Sequence, residues 1–126
     1  MKIDRLDHLV LTVANIERTC EFYHRVLGFE VITFQGGRKA LGFGQQKINL
    51  HEVGKELALR AVAPTAGSGD LCLIASTPIE QVIRELQAND VDIEIGPVQR
   101  TGATGTILSV YQRDPDQNLI EISNYL

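Results

Sequence analysis

The chain has 126 residues, enough for one domain with a substantial core, and is 44% hydrophobic and 22% charged with a formal net charge of −4. That charge, with no Lys/Arg cluster on any one element, argues against a nucleic-acid partner. No stretch approaches the ~20 apolar residues of a membrane span, and Met1-Lys2-Ile3-Asp4-Arg5 lacks a signal-peptide core. Cys20 and Cys72 lie in apolar runs without CxxC spacing, so both read as buried thiols, and a cytoplasmic location is expected.

Leu6–Val13 is short and β-rich, with Leu9, Leu11 and Val13 on one face and His8, Val10 and Thr12 on the other. Asn15 is an N-cap candidate, and Ile16, Thr19, Cys20, Tyr23, Val26 and Leu27 then recur at helical spacing until Gly28 stops the helix. Phe29–Phe34, Lys39–Phe43 and Gln46–Val53 read as strands, with a turn at Gln35-Gly36-Gly37-Arg38, which gives β-α-β-β-β. Residues 54–68 have little periodicity and read as a linker. The pattern then returns. Asp70–Ala75 is strand-like, Thr77 and Glu80 make a capping box with Pro78 at the first helical position, and Ile79, Val82, Ile83 and Leu86 form an apolar stripe ending at Asn89-Asp90. Val91–Ile95, Gly105–Gln112 and Leu119–Tyr125 complete a second set of strands.

The halves correspond by counting. A shift of 62 carries Asn15 to Thr77, Gly28 to Asp90 and His8 to Asp70. A longer loop in the second half moves the shift to 72, carrying Asn49 to Glu121 and His51 to Ser123. A duplicated module is the reading. The fold expected is α+β: two tandem βαβββ modules forming a cupped, mostly antiparallel sheet with helices on its outer face. Its limits are one domain over 1–126, with modules at about 4–53 and 69–126 joined by a linker at about 54–68.

His8, Asn49, Asp70 and Glu121 each lie opposite the aliphatic stripe of their own strand, and His51 follows Asn49 on the same face, about 7 Å farther along. If helices cover the aliphatic sides, these polar groups line a concave face. Imidazole and carboxylates together form an N/O donor set for a divalent metal. Each residue also has a plain reading: His8 as a satisfied strand histidine, Asp70 as a turn acid, His51 as part of a solvated strand end, Glu121 as a solvated edge-strand carboxylate. The repeat favours taking them together.

Asp7-His8-Leu9-Val10-Leu11-Thr12-Val13, Glu21-Phe22-Tyr23 leading to Leu27-Gly28-Phe29, and Asp114-Pro115-Asp116-Gln117-Asn118-Leu119-Ile120-Glu121 resemble the glyoxalase, bleomycin-resistance and extradiol-dioxygenase family, the vicinal oxygen chelate superfamily. The resemblance covers nearly the whole chain. It implies a divalent metal (Ni, Zn, Mn or Fe) held by His8, Asp70 and Glu121 with His51 as fourth ligand or general base. Glu121 and His51 are then the catalytic candidates, and Asn49, Tyr111 and Arg113 the substrate contacts. Asp70 stands where many members have a second histidine, and Asn49 where glyoxalase-type members often have a ligand carboxylate. The implied activity is that of a lyase, isomerase or transferase, like lactoylglutathione lyase or a fosfomycin-resistance enzyme, acting in detoxification on a small oxygen-rich or thiol-conjugated molecule. The alternatives are metal-free sequestration of a small molecule, as in bleomycin resistance, and extradiol ring cleavage. The resemblance also implies a homodimer with a shared site.

Overall fold

A computed structural model describes residues Met1–Leu126. The order is β1 (His8–Val13), α1 (Ile16–Leu27), β2 (Glu30–Phe34), β3 (Arg38–Phe43), β4 (Gln46–Glu52), β5 (Asp70–Ile74), α2 (Ile79–Ala88), β6 (Ile95–Thr101), β7 (Thr106–Arg113) and β8 (Leu119–Tyr125). The chain divides into two compact units, Met1–Gly67 and Ser68–Leu126. Each has one helix and one mixed four-stranded sheet, ordered β1-β4-β3-β2 in the first and β5-β8-β7-β6 in the second. No helix is long and apolar enough to cross a membrane.

In the first unit, Asn15 accepts the Arg18 N–H at 2.9 Å, and Glu52 Oε1 accepts the Ile16 N–H at 3.1 Å. Two of the orphan donors of the first turn are thereby satisfied. At the other end Gly28 takes φ 70°, and its N–H bonds back to the His24 carbonyl. Thr19, Cys20, Phe22, Tyr23 and Val26 are buried on the helix, and Leu11, Val13, Ile48 and Leu50 on the strands. Tyr23, Phe29 and Phe43 extend this core as a chain of ring contacts, with centroids 5.5 and 4.7 Å apart.

The second unit repeats the plan, with Ile79, Val82 and Leu86 of α2 buried alongside Val110, Ile120 and Ile122. The repeat is visible in the strand pairing itself. β1 runs parallel to β4 with His8 opposite Lys47 and Val10 opposite Asn49. β5 runs parallel to β8 with Asp70 opposite Leu119 and Cys72 opposite Glu121. The shifts of 62 and 72 thus superpose the two pairings.

Two elements differ from the sequence reading. The N-cap of α2 is Pro78, without a side-chain capping bond, so the expected Thr77–Glu80 box does not form. The Pro78 carbonyl takes the Gln81 and Val82 N–H groups, while the Thr77 carbonyl is used by the Asn124 side chain at 2.9 Å. The sixth strand is Ile95–Thr101, not Val91–Ile95, and it shifts register between Ile95 and Val98. Pro97 lies within β6, which is an edge strand, where a proline without an N–H is tolerated.

The turn between β7 and β8 is held by a buried carboxylate. Asp114 Oδ1 accepts the Asp116 and Asn118 N–H groups, each at 2.9 Å, and Oδ2 accepts the Asn118 side-chain amide at 2.8 Å. Asn118 Oδ1 in turn accepts the Gly69 N–H at 2.7 Å, and the Gly69 carbonyl accepts the Leu119 N–H. Because buried donors left without their acceptor carry a desolvation cost, Asp114→Ala is expected to lower stability by about 3 kcal/mol in urea unfolding. A loss below about 0.5 kcal/mol, the scale of an ordinary surface change, would show that the turn does not depend on this carboxylate.

Candidate functional site

On the face of the second sheet turned from α2, pairing sets out rows of side chains. Cys72, Glu121 and Tyr111 form one row, and Ile74, Ser123 and Ser109 the next. Ser109 Oγ donates to Glu121 Oε1 at 2.6 Å and lies 2.7 Å from Ser123 Oγ. A hydroxyl has one proton, so Ser123 must donate to Ser109, and the Cys72 thiol, at 3.5 Å, is left to donate to Ser123. Both serines are fully buried. One oxygen of Glu121 is therefore fixed from beneath, while its side chain faces a concavity of about 400 Å³. Cys72, Ile74, Arg100, Tyr111 and Tyr125 share that wall with the loop 101–103.

Burial pushes the Tyr111 phenol up; Arg100, which donates Nε–H to its oxygen at 3.2 Å, opposes this, and Glu121 adds to it. Tyr111 is therefore a neutral hydroxyl near neutral pH, and its hydrogen bond to the Glu121 carboxylate is one of the causes that hold it so. The Tyr125 oxygen accepts the Thr104 N–H at 3.2 Å, and hydrogen bonding from Thr104 pulls its phenol down. Gly102 is required in this loop, because a Cβ there would stand 2.8 Å from the Tyr125 oxygen. Asp70 lies on the Glu121 face, exposed at the start of β5 and about 7 Å back along the strands. Arg113 is taken up elsewhere: it pairs with Glu94 at 3.0 Å and donates to the Gln117 carbonyl at 3.2 Å.

On the corresponding face of the first sheet, His8 is exposed, with Nδ1 2.7 Å from Asp7 Oδ1. Asn49 and His51 are buried, and neither Asn49 Oδ1 nor His51 Nε2 has a hydrogen-bond partner. His51 pairs with Thr12, four residues or about 13 Å along the sheet from His8, so the two imidazoles do not come together.

These donors suit a divalent ion in kind. A carboxylate on one ring nitrogen, as Asp7 supplies to His8, orients the other for coordination, and Asp70 and Glu121 are oxygen donors on one face. They are dispersed in number, since neither unit by itself gathers three His, Cys, Asp or Glu side chains at metal-binding spacing.

Several participants escaped the sequence reading. Ser109 and Ser123 carry no motif, and Arg100 lies on the strand that was misplaced. Cys72 is exposed rather than buried, because its parity puts it opposite Glu121 and not beneath α2. Only Cys20 is a buried thiol.

Residues 5–122 match the family model described as Glyoxalase/Bleomycin resistance protein/Dioxygenase superfamily. The chain belongs to this superfamily. Among superfamily relatives, it is 58% identical to virulence protein STM3117 of Salmonella typhimurium over 126 residues, covering 100% of this chain and 88% of the relative. The crystal structure of that protein superposes with a TM-score of 0.99 and covers 100% of both chains. The glyoxalase domain-containing protein RDO1 of Mycosarcoma maydis is 50% identical, with 99% of this chain and 70% of the relative covered. The integron cassette protein VCH_CASS1 of V. cholerae is 52% identical with a TM-score of 0.98, covering 100% of this chain and 98% of that one. The lactoylglutathione lyase of Agrobacterium tumefaciens shares the fold at 19% identity and a TM-score of 0.75, covering 98% and 95%. Fosfomycin resistance protein FosX of Mesorhizobium loti does so at 16% and 0.65, covering 99% and 95%.

Partial desolvation first, and then Glu121, pushes the Cys72 thiol up, against the hydrogen bond it shares with Ser123. Its thiolate fraction at neutral pH is correspondingly low. Iodoacetamide is expected to label Cys72 more slowly at pH 7 than it labels an exposed model thiol, with the rate climbing well above neutral pH. Labelling as fast as the model thiol would contradict this environment.

Proposed function

We propose that this chain binds a small oxygen-rich or thiol-conjugated molecule and acts on it as a glyoxalase-like lyase, isomerase or transferase assisted by a divalent metal. What carries the reading is Glu121, a mid-strand carboxylate in the wall of a concavity, held from beneath by the buried Ser109 hydroxyl. Structural carboxylates in strands usually end in solvent or in an ion pair, whereas this half-buried one has no ion pair and is held by a buried serine hydroxyl. His8, Asp70 and Glu121 are the proposed ligands, with Ni, Zn, Mn or Fe as the candidate ions. A bound divalent ion would supply Lewis-acid polarisation of a substrate oxygen. Glu121 would exchange a proton with the substrate, and Tyr111, beside it, would be a substrate contact. His51, too distant from His8 to share an ion with it, is proposed as a general base, and Asn49 as a substrate contact. Arg113 drops out of the substrate-binding set because Glu94 and Gln117 occupy its guanidinium.

A second reading, metal-free sequestration of a small molecule, is favoured by the dispersal of the donors, fewer than three in either unit. Metal titration of the stripped protein separates the two. Binding of Mn²⁺, Ni²⁺, Zn²⁺ or Fe²⁺ at micromolar concentration or tighter, lost in both His8→Ala and Glu121→Gln, is the expected result. Retention of full metal content by either variant would overturn the ligand assignment, and no saturable binding of any ion would favour sequestration.

We also propose that the chain pairs as a homodimer whose sites draw on both copies. The support is the apolar surface left open after β4, where Leu59 is 92% and Val62 104% exposed. Sedimentation at micromolar concentration is expected to give a dimer mass. Charged replacements, Leu59→Glu with Val62→Glu, are expected to shift it to monomer, and an unchanged dimer would show that this surface is not the interface.

A further inference from the structure

Two charged groups stand on the wall of the second unit's concavity, Arg100 and Glu121, with Tyr111 between them. Three contacts fix the Arg100 guanidinium. Its Nε donates to the Tyr111 oxygen at 3.2 Å, its Nη1 donates to the Gln99 carbonyl at 3.1 Å, and its carbon lies 5.6 Å from the Tyr111 ring centroid. Nη2 is left uncommitted. Because the Tyr111 oxygen accepts from Arg100, its own proton is turned to the Glu121 carboxylate on the other side. The rest of the wall is largely apolar. Ile74 faces it while 53% exposed, and Ile107 and the ring of Tyr125 continue the surface.

A guanidinium held on Nε and Nη1, with Nη2 turned to the concavity, is suited to a carboxylate. Glu121 on the far side of Tyr111 disfavours a second negative charge on the same ligand. At about 400 Å³ the space lies at the small end of the range for small-molecule sites. We propose that this concavity binds a small monocarboxylate, with its apolar body against Ile74 and Ile107 and its carboxylate on Arg100 Nη2. The proposal rests on reading this face as a ligand site, as above, and does not involve the metal.

Benzoate is the probe, titrated into the full chain in EDTA with ¹H–¹⁵N spectra recorded on the Arg100 side chain and the amides of 101–105. Saturable shifts with a Kd on the order of 1 mM or tighter are expected for so small a ligand. The neutral isostere benzamide is expected to bind at least about tenfold more weakly, and Arg100→Gln to weaken benzoate by a similar factor. Arg100→Lys should retain part of the affinity, because it keeps the charge but loses the planar fork. Arg100 is exposed, and an unchanged backbone spectrum of each variant outside the concavity confirms its fold. Equal binding of benzamide, full affinity in Arg100→Gln, or the absence of any saturable shift would each overturn the proposal. EDTA separates the two readings. Benzoate binding by a chain that takes no metal upholds this proposal and removes the metal, whereas metal binding without benzoate binding does the reverse.

Discussion

A buried carboxylate at a turn decides where Glu121 stands. Asp114 gathers the Asp116 and Asn118 N–H groups and the Asn118 side chain, and Asn118 then holds Gly69, the residue just before β5. That chain of contacts starts the parallel β5–β8 pairing with Asp70 opposite Leu119. From there, alternation does the rest. A slip of one residue would turn Glu121 beneath α2 and bring Ile120 into the concavity. Placing Glu121, Cys72 and Tyr111 in one row is therefore a consequence of a turn that contains none of them.

The alternation also explains how one sheet serves two purposes. Its even rows around Ile120 and Ile122 are buried with α2 and supply the core. Its odd rows carry the serines, Glu121 and Tyr111, and their hydrogen bonds run across strands instead of along them. Burial of Ser109 and Ser123 at zero exposure would be costly for unpaired hydroxyls, but each satisfies the other and the chain ends on a carboxylate. The first unit, with His8, Asn49 and His51 on its matching face, uses the same frame with a different donor set.

Much of this was legible in the sequence for identifiable reasons. Period-two and helical patterns are local, so β1, α1, β3, β4 and β8 emerged close to their observed limits, as did Gly28, whose positive φ has a one-residue signature. The shift of 72 that set Asn49 against Glu121 proved to be the register of the pairings. Where the sequence misled, non-local factors decided. Val91–Ile95 alternates like a strand, but the paired segment is Ile95–Thr101, where Pro97 is tolerated because β6 is an edge strand, and edge position is a property of the whole sheet. Pro78, not Thr77, is the cap, and the Thr77 carbonyl is bound by Asn124, 47 residues away. Ser109, Ser123 and Arg100 are unremarkable as letters. Only cross-strand pairing brings them to Glu121 and Tyr111, and only tertiary contact with Glu94 removes Arg113.

Membership of the Glyoxalase/Bleomycin resistance protein/Dioxygenase superfamily agrees with this frame, and fold alone leaves the chemistry to the site. The proposed function requires Glu121 at the centre of that site. The most direct examination is a crystal of the protein soaked in Zn²⁺, with an anomalous difference map recorded across the zinc absorption edge. A single strong peak within coordination distance of the Glu121 carboxylate is expected. Peaks confined to surface histidines or acids, with none at Glu121 under saturating zinc, would contradict it.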